Sequence, residues 1–353
     1  MKKLYSWGLA CTLYGAIVSF TAPVFAEEAA PAAAPAEEEG KMASFFKSIE
    51  VSGFVDTYYS YNYSRPNDRR GSTPGFSRDG GLQNWVDVRS FDREDNSFTL
   101  DNVEISVFKT ATEKDPVGFG FTTNYGEIAQ RITFVPSDGR VDGASGGDSF
   151  TISQGFVTYK APVGKGIDFK FGKFATWIGA ELWESVDNPN FSRSLLYQNA
   201  IPFTNTGVSA SYPLLDSLTA TAYLVNGWDT FVDNNTGKTF GYQFNWKIGE
   251  NTNFIVNGSH GPEQTDNSSN YRHFWDLIFA IKPFSKTTFN LNLDYGTEDG
   301  AAMLATVNEN GQWWGFSGII NQDFTDSFGV ALRGEYFDDN DGARLGVNAL
   351  NIW

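Results

Sequence analysis

The segment at residues 240–246, FGYQFNW, places its aromatic side chains at alternate positions and small or polar residues between them. Successive side chains of a β-strand point to opposite faces, so this period of two predicts a strand with one apolar and one polar face. Residues 289–295, FNLNLDY, repeat the arrangement. Similar alternation runs from Ile49 onward, which predicts an all-β chain.

Two architectures produce such strands. A soluble sandwich turns the apolar face to a core and the polar face to water. An outer-membrane barrel inverts this, with the apolar face on lipid and the polar face lining a wet lumen. The period alone does not decide between them.

The lengths of the connections favour the barrel. Fourteen strands are predicted, at 49–61, 97–110, 117–125, 150–161, 167–174, 203–213, 217–226, 239–247, 252–259, 272–282, 287–295, 312–322, 327–336 and 344–352. Short turns are predicted at 113–116, 162–166, 214–216, 249–251, 283–286 and 323–326. They alternate with long polar connections at 62–96, 126–149, 175–202, 227–238, 260–271, 296–311 and 337–343. Short periplasmic turns and long outer loops are typical of bacterial outer-membrane barrels.

We therefore expect a transmembrane, antiparallel, up-and-down β-barrel. An even number of strands puts both termini on the periplasmic side. Asn351 interrupts the apolar face of the last segment. The sequence pattern shows fourteen strands. A barrel of sixteen strands is the alternative if the chain is truncated at its C-terminus.

Three segments are expected along the chain. Residues 1–26 combine Lys2 and Lys3, an apolar middle and a small-residue end, which predicts a cleaved secretory signal. Residues 27–48 are rich in Ala, Pro and Glu and predict a flexible periplasmic spacer. Residues 49–353 form the predicted barrel. Cys11 is the only cysteine, so the exported chain has no disulfide.

The composition limits the partners. The net charge is −16, and it becomes −18 without the first 26 residues, because they carry two lysines and no acid. Such a surface repels phosphate backbones and argues against nucleic acid as a partner. The expected partners are outer-membrane lipid and small hydrophilic solutes or ions, and no cofactor is expected.

Four segments carry a family resemblance. They are YKAPVGKGIDFKFGKF at 159–174, Gly179 with Glu181, NFSRS at 190–194 and PFTNTG at 202–207. The chain from Ile49 to its end resembles the OmpL-like β-barrel porins of Gram-negative bacteria, most specifically over 156–212. The resemblance implies an outer-membrane channel whose barrel has a couple more strands than the sequence pattern shows. It brings no catalytic residues.

The connection at 175–202 is the candidate functional site. Its many aromatic residues favour burial against a wall rather than exposure to water. The analogous loop of general porins folds into the lumen and narrows it. The hypothesis is a pore constriction in which Glu181, Glu184 and Asp187 face Arg193 and Lys170 across an aqueous gap, so that a transverse field favours polar solutes. An extracellular lid and a subunit contact are the alternatives.

Charged residues of mixed sign are expected to point inward from the wall: Asp56, Glu104, Asp168, Lys170, Lys247, Asp276, Asp294, Arg333, Glu335 and Arg344. Because the chain as a whole is acidic, a weak cation preference is predicted.

Other candidate sites are weaker. A barrel hydrolase could use Ser259 and His260 with Glu263 and Asp266, but a polar outer loop is the much better explanation, because catalytic groups normally come from positions that fold to face each other. His260 and His273 are the only histidines and, without cysteine, show no metal-ligand spacing. The run at 338–342, DDNDG, lacks the closing glutamate of a calcium loop and predicts a turn.

The sequence thus predicts a non-enzymatic, passive outer-membrane porin narrowed by its third outer loop. A structural or adhesive barrel with a closed lumen and a barrel hydrolase are the alternatives. A homotrimer is one option by analogy with general porins.

Overall fold

The computed structural model describes residues 45–61, 91, 97–133, 150–301, 309–345 and 350–352. The predicted signal, most of the spacer, the first long connection apart from Phe91, and parts of the second and sixth long connections lie outside the described residues. Among the helices of the described residues, none has the length and apolarity needed to cross a membrane.

The described residues fold into one fourteen-stranded sheet. The strands are β1 (Ile49–Ser60), β2 (Ser97–Lys109), β3 (Val117–Tyr125), β4 (Phe150–Ala161), β5 (Ile167–Ala175), β6 (Thr204–Leu215), β7 (Leu218–Val225), β8 (Thr239–Ile248), β9 (Thr252–Gln264), β10 (Asn267–Phe284), β11 (Thr287–Glu298), β12 (Gly311–Asp323), β13 (Gly329–Asp339) and β14 (Leu350–Ile352). Each strand pairs antiparallel with its neighbour in sequence, in the order β1 to β14. The predicted all-β, up-and-down architecture is confirmed.

Two predicted connections and the last predicted strand differ in the structure. Among the described residues of the strand predicted at 344–352, only Leu350–Ile352 lie in β14, and Arg344 and Leu345 lie in a turn. The predicted long connection at 260–271 is wrong. Strand β9 continues to Gln264 and β10 begins at Asn267, so only a two-residue turn joins them. Asp266 in this turn has φ +56°, a conformation that aspartate tolerates better than most residues. The second long connection contains a short helix, α1 (Glu127–Thr133), which the sequence pattern did not predict.

The registers place polar residues together on one face. Residues paired directly across antiparallel strands lie on the same side of a sheet. One row from β4 to β13 is Lys160, Asp168, Ser211, Thr221, Gln243, Asn257, Asp276, Asp294, Gly315 and Phe337. The adjacent row, on the other face, is Tyr159, Phe169, Ala210, Ala222, Tyr242, Gly258, Trp275, Tyr295, Trp314 and Asp338.

Burial decides which of the two architectures the sheet adopts. Asp276 and Asn257, on the polar face, are 0% exposed, whereas Trp275 and Trp314, on the aromatic face, are 40% and 44% exposed. A soluble sandwich would bury the aromatic face. The sheet therefore has the inverted alternation of an outer-membrane barrel. We call the polar side the inner face and the aromatic side the outer face.

The hydrophobic core of the described residues lies against the inner face. It includes Phe174, Val225, Trp228, Phe274, Trp313 and Phe337 on or beside the strands, and Trp177, Ile178, Trp183, Leu195, Leu196, Tyr197, Ala200 and Ile201 from the connection between β5 and β6. We call this connection, residues 176–203, the third loop. Apolar side chains on an inner face that is otherwise polar are buried because this loop covers them.

Candidate functional site

The third loop begins with two hydrogen bonds to the wall. The backbone N–H of Gly179 donates to Asp276 Oδ2 over 2.8 Å, and that of Ala180 donates to Asn292 Oδ1 over 2.8 Å. Both acceptors are buried on the inner faces of β10 and β11. These bonds fix the start of the loop to strands far from β5, which leads into it.

An aromatic stack holds the same end of the loop against β7 and β8. The rings of Trp177 and Tyr223 are parallel, 3.9 Å apart and inclined by 9°. Gly241 lies beneath the indole, where a Cβ atom would overlap the Trp177 ring. Gln243 Nε2 donates to the Trp177 carbonyl over 3.1 Å. The glycine therefore allows the close approach of the loop to β8.

The middle of the loop is bound by β13. Arg333 donates through both terminal nitrogens to Ser192, one bond reaching the carbonyl and the other, of 2.9 Å, the hydroxyl. Arg333 also lies 3.5 Å from Glu181 and 3.3 Å from Glu335. The Glu335 carboxylate accepts the Leu195 N–H over 2.7 Å. A charge-assisted network thus compensates the burial of these groups.

The loop also reaches β1. Ser185 donates a hydrogen bond to Asp56, and the Phe191 ring lies 5.4 Å from that of Tyr58. Because the loop contacts β1 as well as β8 and β10 to β13, it extends across the inner face from the first strand of the sheet to the thirteenth.

The end of the loop has its own anchors. Arg344 Nε donates to the Asn199 carbonyl over 2.9 Å, and Trp313 Nε1 donates to the Ala200 carbonyl over 3.3 Å. Beyond them, Asp229 Oδ1 accepts the N–H groups of Phe203 and Thr204 over 2.7 and 2.8 Å. Burial raises the pKa of Asp229 to about 6, against the opposing effect of these hydrogen bonds.

Glu181 lies buried inside the network. Both of its carboxylate oxygens accept the N–H of Ser194, over 3.1 and 3.0 Å. Burial raises the pKa of Glu181, while Arg333 and the Ser194 hydrogen bonds act in the opposite direction. Glu181 therefore joins its own segment of the loop to Ser194 and, through Arg333, joins both to β13.

Among the described residues, the ion-pair partner of Glu181 is Arg333, and the two predicted cations contact other groups. Arg193 is 0% exposed and donates to the carbonyls of Phe191, over 2.8 Å, and Trp183, so it binds the loop's own backbone. Lys170 Nζ lies 4.6 Å from the centre of the Phe156 ring. The cation that pairs with Glu181 is Arg333, which the strand phase had predicted only as a wall residue.

Glu184 and Asp187 lie nearer to solvent. Asp187 is exposed and Glu184 is half-buried. The pKa of Glu184 is raised to about 8, mainly by burial, with smaller contributions from the carboxylates of Glu104 and, more weakly, Asp187. Together with Asp56, these side chains bring four carboxylates to the region between the third loop and β1 and β2.

Several residues of the loop's surroundings escaped the sequence interpretation. Arg272 and Glu298 form a buried ion pair of 2.6 Å, and the Arg272 guanidinium lies 4.5 Å from the centre of the Trp228 ring. Glu298 falls beyond the predicted end of its strand. Asn292 was missed because an amide in an alternating strand carries no signal of its own.

The proposed hydrolase set is not brought together. The Ser259 hydroxyl is a 3.3 Å partner of Trp228 Nε1 on the inner face, whereas His260 is paired in register with His273 on the outer face. Glu263 accepts from Thr239 and Trp228, over 2.6 and 2.7 Å.

The acidic run near 340 has a local backbone role. Asp339 accepts the N–H groups of Ala343, Arg344 and Leu345 over 2.8–3.0 Å, as expected of a turn. Within the described part of the chain, no group of three or more His, Cys, Asp or Glu residues could hold a metal ion.

Comparison with solved structures finds the following similar chains. An anion-selective porin from Comamonas acidovorans aligns with a TM-score of 0.49 at 11% identity, covering 83% of this chain and 79% of that one. The outer membrane channel DcaP of Acinetobacter baumannii aligns with a TM-score of 0.38 at 9% identity, covering 86% and 94%. The trimer form of in-vitro folded OmpT, an outer membrane protein of Vibrio cholerae, gives 0.38 at 13%, covering 74% and 90%.

A search of curated proteins with the sequence finds no match. The sequence model of the OmpL-like beta-barrel porin-2 family matches residues 48–351, nearly the whole described sheet. The inverted alternation and the sequential antiparallel strands agree with that match. The chain belongs to the OmpL-like family of β-barrel porins, which are outer-membrane proteins.

Proposed function

We propose that this porin is a passive channel for small hydrophilic solutes and ions, narrowed by its third loop and weakly selective for cations. Export through a cleaved signal, contact of the outer face with lipid and assembly as a homotrimer are parts of the same proposal. No coupling to an energy source is included.

The observation that carries the narrowing is the course of the third loop. Its hydrogen bonds to Asp276, Asn292 and Glu335 come from three different strands, and its contact with Asp56 comes from a fourth. A loop held at so many points occupies part of the inner space permanently. Solutes would pass through the space that it leaves.

The cation preference rests on the carboxylates around the loop. Among the predicted constriction residues, Asp187 and Glu184 are the two best placed to meet a passing ion, with Glu104 and Asp56 on the adjacent wall. Glu181 and Arg193 would act by holding the loop in position, whereas Lys170 packs over the rings of Phe156 and Phe174 on the wall. A negative rim at the narrowest point attracts cations and repels anions.

Single-channel recording in a planar bilayer under a salt gradient tests the proposal. We expect steady conductance and a reversal potential whose sign shows that cations permeate more readily than anions. The combined variant Glu184→Gln and Asp187→Asn should move that potential towards zero. A matched control, Glu113→Gln with Glu250→Gln, removes two exposed charges from short turns and should leave it unchanged.

Three outcomes would contradict the proposal. A reversal potential favouring chloride would refute the cation preference. Unchanged conductance and ion preference after Glu181→Gln with Glu184→Gln would refute the constriction. A barrel that shifts on a gel when heated but conducts no current would support a structural or adhesive role with a closed lumen.

A further inference from the structure

The two histidines of the chain meet on the outer face. His260 on β9 is directly opposite His273 on β10, and their Nδ1 atoms are 3.2 Å apart. The neighbours of His273 in sequence, Arg272 and Phe274, are buried on the inner face, so the imidazoles point away from the third loop. The site is therefore separate from the candidate constriction.

The spacing of the imidazoles suits a metal ion. Zinc binds imidazole nitrogen at about 2.0–2.1 Å, and two ligands of a tetrahedral ion at that distance are roughly 3.4 Å apart. The observed separation of 3.2 Å needs only a small adjustment of the rings. Without a metal, one Nδ1–H can donate to the other Nδ1, so both rings need not be charged.

The surrounding rings hold the imidazoles in place. The centre of the Trp275 ring lies 5.2 Å from that of His260, and the Tyr242 ring lies 5.8 Å from it, inclined by 28°. Tyr271 stacks on His273 at 6.0 Å. Both histidines remain half-exposed, so an ion has access. Paired strands give the ligands a rigid base.

We infer that His260 and His273 form a two-imidazole binding site for a divalent transition-metal ion of the zinc class. Water fills the remaining coordination positions, because two imidazoles do not complete a tetrahedral shell. Imidazole ligands favour Zn²⁺, Ni²⁺ and Cu²⁺ over Mg²⁺ and Ca²⁺, which prefer oxygen. Protons compete with the metal for the same nitrogen atoms, so the site loses its ion in acid.

Titration calorimetry with zinc chloride on the untagged, detergent-folded protein tests the site. We expect one zinc per chain at neutral pH, unchanged by excess calcium. His260→Gln and His273→Gln should each weaken binding roughly tenfold or more, because each removes one of two ligands. The control Asp266→Asn removes a carboxylate from the turn of the same hairpin and should bind as wild type does.

Two further readouts decide between binding at the histidines and binding elsewhere. Cu²⁺ should quench part of the tryptophan fluorescence, and Trp275→Phe should remove that part, since its ring adjoins His260. Heat-induced gel shifts of both histidine variants verify their fold. Equal zinc affinity in wild type and both folded variants, or the lack of saturable binding in wild type, would overturn the inference.

Discussion

The ionisation of Glu184 makes the charge of the third loop depend on pH. A carboxyl group with a pKa of about 8 is mostly neutral at pH 7 and becomes charged in mildly alkaline solution. Burial is the main cause, and repulsion from Glu104 adds to it. The same residue is therefore a weak contributor to the cation preference at neutral pH and a stronger one above its pKa.

We expect the cation preference to rise as the pH increases from 7 to 9. The pKa is raised, so ionisation of Glu184 occurs in this interval and adds a negative charge beside the path. One charge about 4 Å from an ion contributes about 1 kcal/mol in water, which allows up to about a fivefold change in the permeability ratio. Reversal potentials measured at each pH provide the test.

Glu184→Gln should abolish this pH dependence, whereas Glu113→Gln, at an exposed short turn, should preserve it. A preference that rises equally in Glu184→Gln would show that another group titrates.

At the scale of the element, the third loop is a packed structure. Its aromatic and aliphatic side chains form much of the described core, and its polar groups bond to six strands of the wall. Removal of one contact should therefore loosen the loop without unfolding the sheet. Gly241 is a suitable position for such a test, because its lack of a side chain makes room for Trp177.

Gly241→Ala should release the loop. Overpacking of this kind costs about 1–3 kcal/mol, so open conformations should become at least about fivefold more frequent. Arg193, which is 0% exposed, provides the readout, since trypsin cleaves after arginine only when the loop opens. Mass spectrometry of the fragments measures the rate of cleavage at this bond.

The matched control is Gly334→Ala on β13, where a new Cβ atom meets nothing within 4 Å. It should resist trypsin as wild type does. If Gly241→Ala were equally resistant, the Trp177 contact would not hold the loop closed.

The strands and the loop differ in how far the sequence reveals them. Alternation located the strands within a few residues except at the β9–β10 hairpin and at β14, where 344–352 was predicted and Leu350–Ile352 is observed. Strand phase placed Arg333 and Asp276 inward. It failed at 260–271, because a hairpin with polar residues on both faces has no apolar period to detect. The partner of Glu181 depends on the path of the loop across the sheet, and no local pattern encodes that path.

At the scale of the whole molecule, tryptophans occupy both faces of the sheet. Trp246, Trp275 and Trp314 are 40–47% exposed on the outer face, whereas Trp228 and Trp313 are at most 4% exposed on the inner face. An aromatic outer face suits the boundary between lipid and water. The inner tryptophans instead pack with the loop.

Brominated lipids should therefore quench only part of the fluorescence. In vesicles containing them, Phe substitution at Trp246, Trp275 and Trp314 should lower the quenched fraction step by step. Phe substitution at Trp313 should lower the total intensity without lowering the quenched intensity. Loss of quenched intensity in the Trp313 variant would contradict the assignment of the two faces.

The third loop also has a consequence for the order of folding. Its contacts join Ser185 to Asp56, Ser192 to Arg333 and Asn199 to Arg344, across 129, 141 and 145 residues of chain. Contacts between such distant residues form late, because the loss of chain entropy precedes the gain in interaction energy. The loop can bury its aromatic residues only after β1 and β13 are in place. We therefore expect a late, slow kinetic phase in which Trp177 and Trp183 become protected, separate from formation of the sheet.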